Sequence, residues 1–89
     1  MNINEKEYQN LEEQQKEILN EWVSKLEKRK TFPGFHNSYG LKHKFSRYAG
    51  FYITNDVMKQ AMLLNGFKVE DTEPLHWRFN VSLKSLKEL

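Results

Sequence analysis

Not one cysteine occurs among the 89 residues, so neither a disulfide nor a thiolate-bound metal can staple whatever this chain folds into. A chain of this length is a single domain, residues 1–89, near the lower limit for a self-sufficient core. Packing alone must supply that core, and the sequence offers six Phe, four Tyr and two Trp for it. Each aromatic buries a large area, so a few can anchor a compact interior. Net stability for a core of this size is modest, on the order of 5 kcal/mol or less, which leaves room for support from a partner or a second copy. A thiol-free chain also suits a reducing cytosol. The opening Met1-Asn2-Ile3-Asn4-Glu5-Lys6 lacks the apolar stretch of a signal peptide. No apolar run approaches the ~18 residues needed to span a bilayer. The expectation is a cytoplasmic protein with no membrane partner.

Apolar periodicity predicts the order of elements. Tyr8, Leu11, Ile18, Leu19, Trp22, Val23 and Leu26 recur at helical steps, which predicts one long helix over residues 1–30, with its first half partly projecting. Asn4 and Glu7 have the spacing of a capping box for it, while Gln14 and Gln15 interrupt the stripe. Thr31-Phe32-Pro33-Gly34 ends that helix. Ser38 is read as the cap of a second helix with Leu41, Phe45 and Tyr48 inward and Lys42, Lys44 and Arg47 elsewhere; Gly50 closes it. Phe51-Tyr52-Ile53 is β-prone, and Thr54 caps a third helix that Gly66 stops. Phe67-Lys68-Val69 and Trp77-Arg78-Phe79-Asn80-Val81 alternate as the strands of a hairpin across a polar loop. Residues 82–87 offer a last helical turn. The fold expected is therefore α+β: a long N-terminal helix followed by a winged helix-turn-helix-like core over residues 36–82. A small α+β domain with a three-stranded sheet fits the same pattern almost as well.

Charge is segregated along this order. Residues 1–27 carry seven Glu against three Lys, whereas Lys28, Arg29, Lys30, Lys42, Lys44 and Arg47 occupy residues 28–47 with no acid among them. These six cations alternate with Phe32, Phe35, Tyr39 and Phe45, a combination able to neutralise phosphates and stack on bases. On the winged reading the third helix turns Asn55, Lys59 and Gln60 toward base edges, and Lys68 and Arg78 steady the flank. The plainer reading of the same residues is a solvated basic face that balances the acidic first segment. His36, His43 and His76 lack metal-ligand spacing, so neither a metal nor another cofactor is expected. No Gly-rich phosphate loop, nucleophile elbow or cysteine nucleophile occurs, so catalysis is not expected either. The stripe of the first helix, including Leu11, Ile18, Trp22 and Val23, could instead pair with a second copy as a homodimer.

The run Asn37-Ser38-Tyr39-Gly40-Leu41-Lys42-His43 resembles a motif of small proteins of bacteriophages and genomic islands in Gram-positive bacteria. Tyr52-Ile53-Thr54-Asn55, Ala61-Met62 with Gly66-Phe67, and Phe79-Asn80-Val81 resemble the same group, so the likeness covers about residues 36–82. Asp56 stands where such sequences often carry glycine. The resemblance implies a mobile-element setting, in which small proteins regulate transcription, assist replication or disable a host defence complex. Two functions follow as expectations. The first is a nucleic-acid-binding regulator or accessory protein. The second is a protein-binding inhibitor or adaptor of a host complex, of the anti-CRISPR type, using the acidic first helix as a nucleic-acid mimic or the basic face as a dock.

Overall fold

The computed structural model describes residues 3–32 and 37–87. Pro33, Gly34, Phe35 and His36, to which the helix-ending turn and one of the three histidines belong, lie outside the described residues. Five helices occur among the described residues: α1 (Glu5–Gln9), α2 (Glu13–Ser24), α3 (Ser38–Ala49), α4 (Asn55–Leu64) and α5 (Leu83–Lys87).

The single long N-terminal helix is not formed. Asn4 caps only a short α1, accepting from the Lys6 amide at 3.2 Å. The chain then turns at Asn10 and restarts at Glu12, whose amide donates to Gln15 Oε1 at 3.0 Å. Gln15, which reads in sequence as a break in a stripe, is thus the reciprocal residue of a second capping box. The turn folds α1 back onto the start of α4. There Glu7 accepts from Thr54 Oγ1 at 2.8 Å, and the Asn4 amide donates to Asp56 Oδ2 at 3.1 Å. Both carboxylates sit where the helix macrodipole of α4 favours negative charge. Tyr8 Oη accepts from Asn20 Nδ2 at 2.7 Å, and Asn20 Oδ1 accepts from Asn65 Nδ2 at 3.0 Å, so one polar chain ties α1, α2 and the end of α4 together.

α4 is the centre of the molecule and packs against α1, α2 and α3. Val57, Met58, Ala61 and Met62 bury one side of it among Leu19, Trp22, Val23, Leu41 and Phe45. The cap of α3 lies one residue before the expected Ser38: Asn37 Oδ1 accepts from the Gly40 amide, while Ser38 is buried as the first helical residue and accepts from the Trp77 amide through Oγ at 2.9 Å. The buried arc of α3 is Ser38, Leu41, Lys42 and Phe45. Tyr48, expected inward, is 59% exposed. Gly50 ends the helix at φ +81°, the left-handed conformation that a residue without Cβ adopts at little cost.

Among the described residues the expected sheet is likewise absent, and with it the winged helix architecture. Phe51-Tyr52-Ile53 pairs with nothing in strand fashion: Phe51 stacks edge-on against Phe45 at 5.5 Å and Ile53 is buried. Residues 77–81 make only isolated antiparallel bridges, Val69 to Phe79 on one side and Lys28 to Val81 and Asn37 to Arg78 on the other. The segment is therefore the middle of three, and no wing projects from it. Asn80 holds the three together. Its backbone N–H donates to the Lys68 carbonyl and its carbonyl accepts from the Arg29 amide; its side chain accepts from the Lys68 amide at 2.7 Å and donates to the Arg29 carbonyl at 3.1 Å. Ladders fail to extend because each flanking segment is diverted within a residue or two, into the polar loop on one side and toward α3 on the other. The final helix is latched by Ser85, whose Oγ accepts from the Glu27 amide at 3.0 Å, and by buried Leu86.

Candidate nucleic-acid interface

The cations singled out by the sequence reach three different environments. Lys42, expected on the outer face of its helix, is only 5% exposed, and its ammonium lies 4.7 Å from the Tyr39 ring centre and 4.8 Å from that of Tyr52. A lysine stem buries readily while its charge rests on aromatic faces. Tyr39 is also flanked by His43 at 4.3 Å and His76 at 4.9 Å between ring centroids. Among the described residues, no three His, Asp or Glu side chains gather as a metal-binding group.

The residues assigned to base reading are drawn into the fold. Lys59 is fully buried, with its Nζ 4.5 Å from the Trp77 ring centre and 3.7 Å from Asp56 Oδ1. Burial holds its ammonium below the usual lysine range, only partly countered by the charge of Asp56. Asn55 donates to the Leu75 carbonyl at 3.0 Å and lies 3.2 Å from His76 Nδ1, fastening the polar loop to the start of α4. Gln60 is half-buried. Helix α4 is thus an interior scaffold, and it cannot offer Lys59 to a groove without leaving its packing.

The remaining cations face outward in two groups. Around Asn80 stand Arg29 and Lys68, with exposed Lys30 next in the chain. Beside them Lys28 covers the Phe67 ring at 4.6 Å, and Arg78 is paired with Glu70. The second group is built by α2 and α3. Lys44, Arg47 and Tyr48 share one helical face at i, i+3 and i+4 and, with Trp22 of α2, line an open depression of about 370 Å³. Trp22 is its floor. It is 2% exposed, packs edge-on against Phe45 at 5.4 Å, and its indole N–H has no acceptor among the described residues. Position follows from packing: Phe45 and Leu41 fix the inward arc of α3, which leaves Lys44, Arg47 and Tyr48 along the seam with α2.

Charge pairing separates the acidic from the basic residues. Glu13 pairs with Lys16 at 3.5 Å and Glu21 with Lys25 at 3.6 Å, each along the surface of α2, while Glu7 is engaged by Thr54. None of the cations of residues 28–47 forms an ion pair among the described residues. Leu19, Trp22 and Val23 of the first stripe are buried in the chain's own core and Leu11 packs against it, leaving Ile18, 40% exposed, as its outward residue. Sequence reasoning missed Tyr48 and Trp22 as parts of a site, and the Asn80 clamp altogether. The one available signal for the clamp is an amide side chain at an outward position inside an otherwise apolar, alternating segment.

No family model matches this chain, and comparison with characterised proteins and with solved structures finds no match. No described helix is long and apolar enough to cross a membrane.

Proposed function

We propose that this protein binds nucleic acid through its unpaired cations, serving as a small regulator or accessory factor of a mobile genetic element. The observation that carries the reading is the depression between α2 and α3, where Lys44 and Arg47 stand without an acidic partner beside the exposed ring of Tyr48. Cations that stand at the surface without an ion pair favour a polyanionic ligand. Arg29, Lys30 and Lys68 add a second patch of positive charge on the three-segment array. The inhibitor reading, in its nucleic-acid-mimic form, needs an exposed acidic ridge on the first segment. The local pairing of Glu13 and Glu21 weakens that ridge and makes this the lesser reading.

Fluorescence anisotropy with labelled mixed-sequence DNA and RNA across a salt series tests the proposal. Each phosphate neutralised contributes about −0.9 to the log–log salt slope on duplex and about −0.7 on a single strand. Two contacts from Lys44 and Arg47 therefore give a slope of roughly −1.5 to −2, and engagement of the second patch as well gives roughly −3.5 to −4.5. Absence of binding at low salt would sink the proposal and send the search to a protein partner.

A further inference from the structure

We infer that the α2–α3 depression receives an unpaired nucleotide, so that the protein prefers single-stranded nucleic acid to duplex. This rests on the nucleic-acid reading and specifies its ligand. Two features of the site support it. The first is chemical composition. Cations alone hold a phosphate of any strand, but a tyrosine ring 59% exposed beside them offers a flat apolar surface that only an unstacked base can cover. Trp22, itself already buried, lines the depression as a second aromatic body beside the two cations. The second is size. A depression of about 370 Å³ lies at the lower end of the range for small-ligand pockets. That is room for one nucleotide beside Lys44, Arg47 and Tyr48.

The elements that read duplex DNA are also unavailable. Lys59 is buried beneath Trp77, Asn55 is bonded to the loop, and the bridges around residues 77–81 build no two-stranded ribbon to enter a groove. At the α2–α3 depression the accessible chemistry is cation plus stacking platform, which is the pairing used on single strands.

The test uses the full chain and anisotropy at fixed low salt with four probes: a 20-nucleotide mixed single strand, the matching duplex, an abasic strand with the same phosphates, and a nucleoside monophosphate as competitor. The expected result is binding of the single strand about tenfold or more tighter than either the duplex or the abasic strand. Tyr48→Ala should cost the single strand about tenfold and leave the abasic strand unchanged, while Tyr48→Phe retains affinity. Because Tyr48 is on the surface, circular dichroism of Tyr48→Ala should match the parent. Equal affinity for the abasic strand or the duplex, with no effect of Tyr48→Ala, would overturn the inference while leaving the nucleic-acid reading intact. Displacement of the strand by micromolar monophosphate would also overturn it, by naming a free nucleotide as the occupant. Failure to bind any of the probes would remove both readings together.

Discussion

Replacing Asn80 by alanine removes two side-chain hydrogen bonds at the point where three chain segments meet. The amide accepts from the Lys68 N–H at 2.7 Å and donates to the Arg29 carbonyl at 3.1 Å, with the residue 7% exposed. Each bond contributes a net ~1 kcal/mol, and each partner group left without water in a part-buried site adds to that. The backbone bonds of Asn80 survive the substitution, so the expected loss is about 2–3 kcal/mol rather than collapse. Against a total stability on the order of 5 kcal/mol or less for a core of this size, the loss is a large share. In a domain of this size it corresponds to a fall in Tm of roughly 10–20 °C. Urea denaturation at pH 7 should show a lowered midpoint with an unchanged slope. Hydrogen exchange should show the Lys68 amide losing protection beyond the global change, because its acceptor is gone. Asn80→Asp keeps the acceptor for Lys68 but sets a carboxylate against the Arg29 carbonyl, and should be no more stable than Asn80→Ala. A Tm for Asn80→Ala within 3 °C of the parent, on the order of 0.5 kcal/mol, would refute the claim that this side chain joins the three segments.

Two further outcomes follow from buried charge and backbone conformation. Lys59→Met should leave stability unchanged or raise it by about 1–2 kcal/mol at pH 7, since a buried ammonium is replaced by an apolar chain of similar length. Burial lowers the folded-state pKa of Lys59, so the unfolded chain holds the proton more tightly and the parent gains stability as pH rises from that lowered value toward 10.5. The advantage of Lys59→Met should therefore shrink between pH 7 and pH 10 in paired denaturation curves; a variant that loses more than ~1 kcal/mol at pH 7 counts against the assignment. Gly66→Ala should cost about 1–2 kcal/mol in the same assay, because Gly66 sits at φ +84°, a left-handed conformation that a residue with a Cβ adopts only under strain. Parent-like stability there would show that the turn relaxes to a conformation open to any residue.

Helix starts were legible wherever a short-range signal marks them. Thr54 caps α4 as its spacing predicts, and Gly50 stops α3 in the left-handed conformation. The break between α1 and α2 was open to the same reasoning, since Glu12 and Gln15 have capping-box spacing. The apolar stripe running past them argued for continuity, and the local cap prevailed. The rotation of α3 was harder to read. A stripe of Leu41, Phe45 and Tyr48 and an arc of Ser38, Leu41, Lys42 and Phe45 are both helical faces. The second is the one buried because Ser38 must meet Trp77 and because Tyr39 and Tyr52 give the Lys42 ammonium a place to rest. That same rotation turned Tyr48 outward and created the depression with Trp22. The cations of the candidate site could be named from composition, whereas their separation into a buried Lys42, a buried Lys59 and two outward groups could not.

What this chain's sequence determined alone is local: the cap of α4 at Thr54 and the stop of α3 at Gly50, which residues carry charge, and that aromatic burial must hold the fold in the absence of any cysteine. These depend on caps, left-handed glycines and side-chain chemistry acting within about a turn of the backbone. Tertiary structure decided that α4 is the hub rather than an exposed reading helix, and that residues 77–81 are clamped from both sides by Asn80 instead of forming a wing. It also decided that Tyr48 stays outside rather than in the core. Those choices lie between alternatives of nearly equal local energy. They are settled by contacts between residues far apart in sequence, where total burial and satisfaction of backbone hydrogen bonds outweigh any single segment's preference.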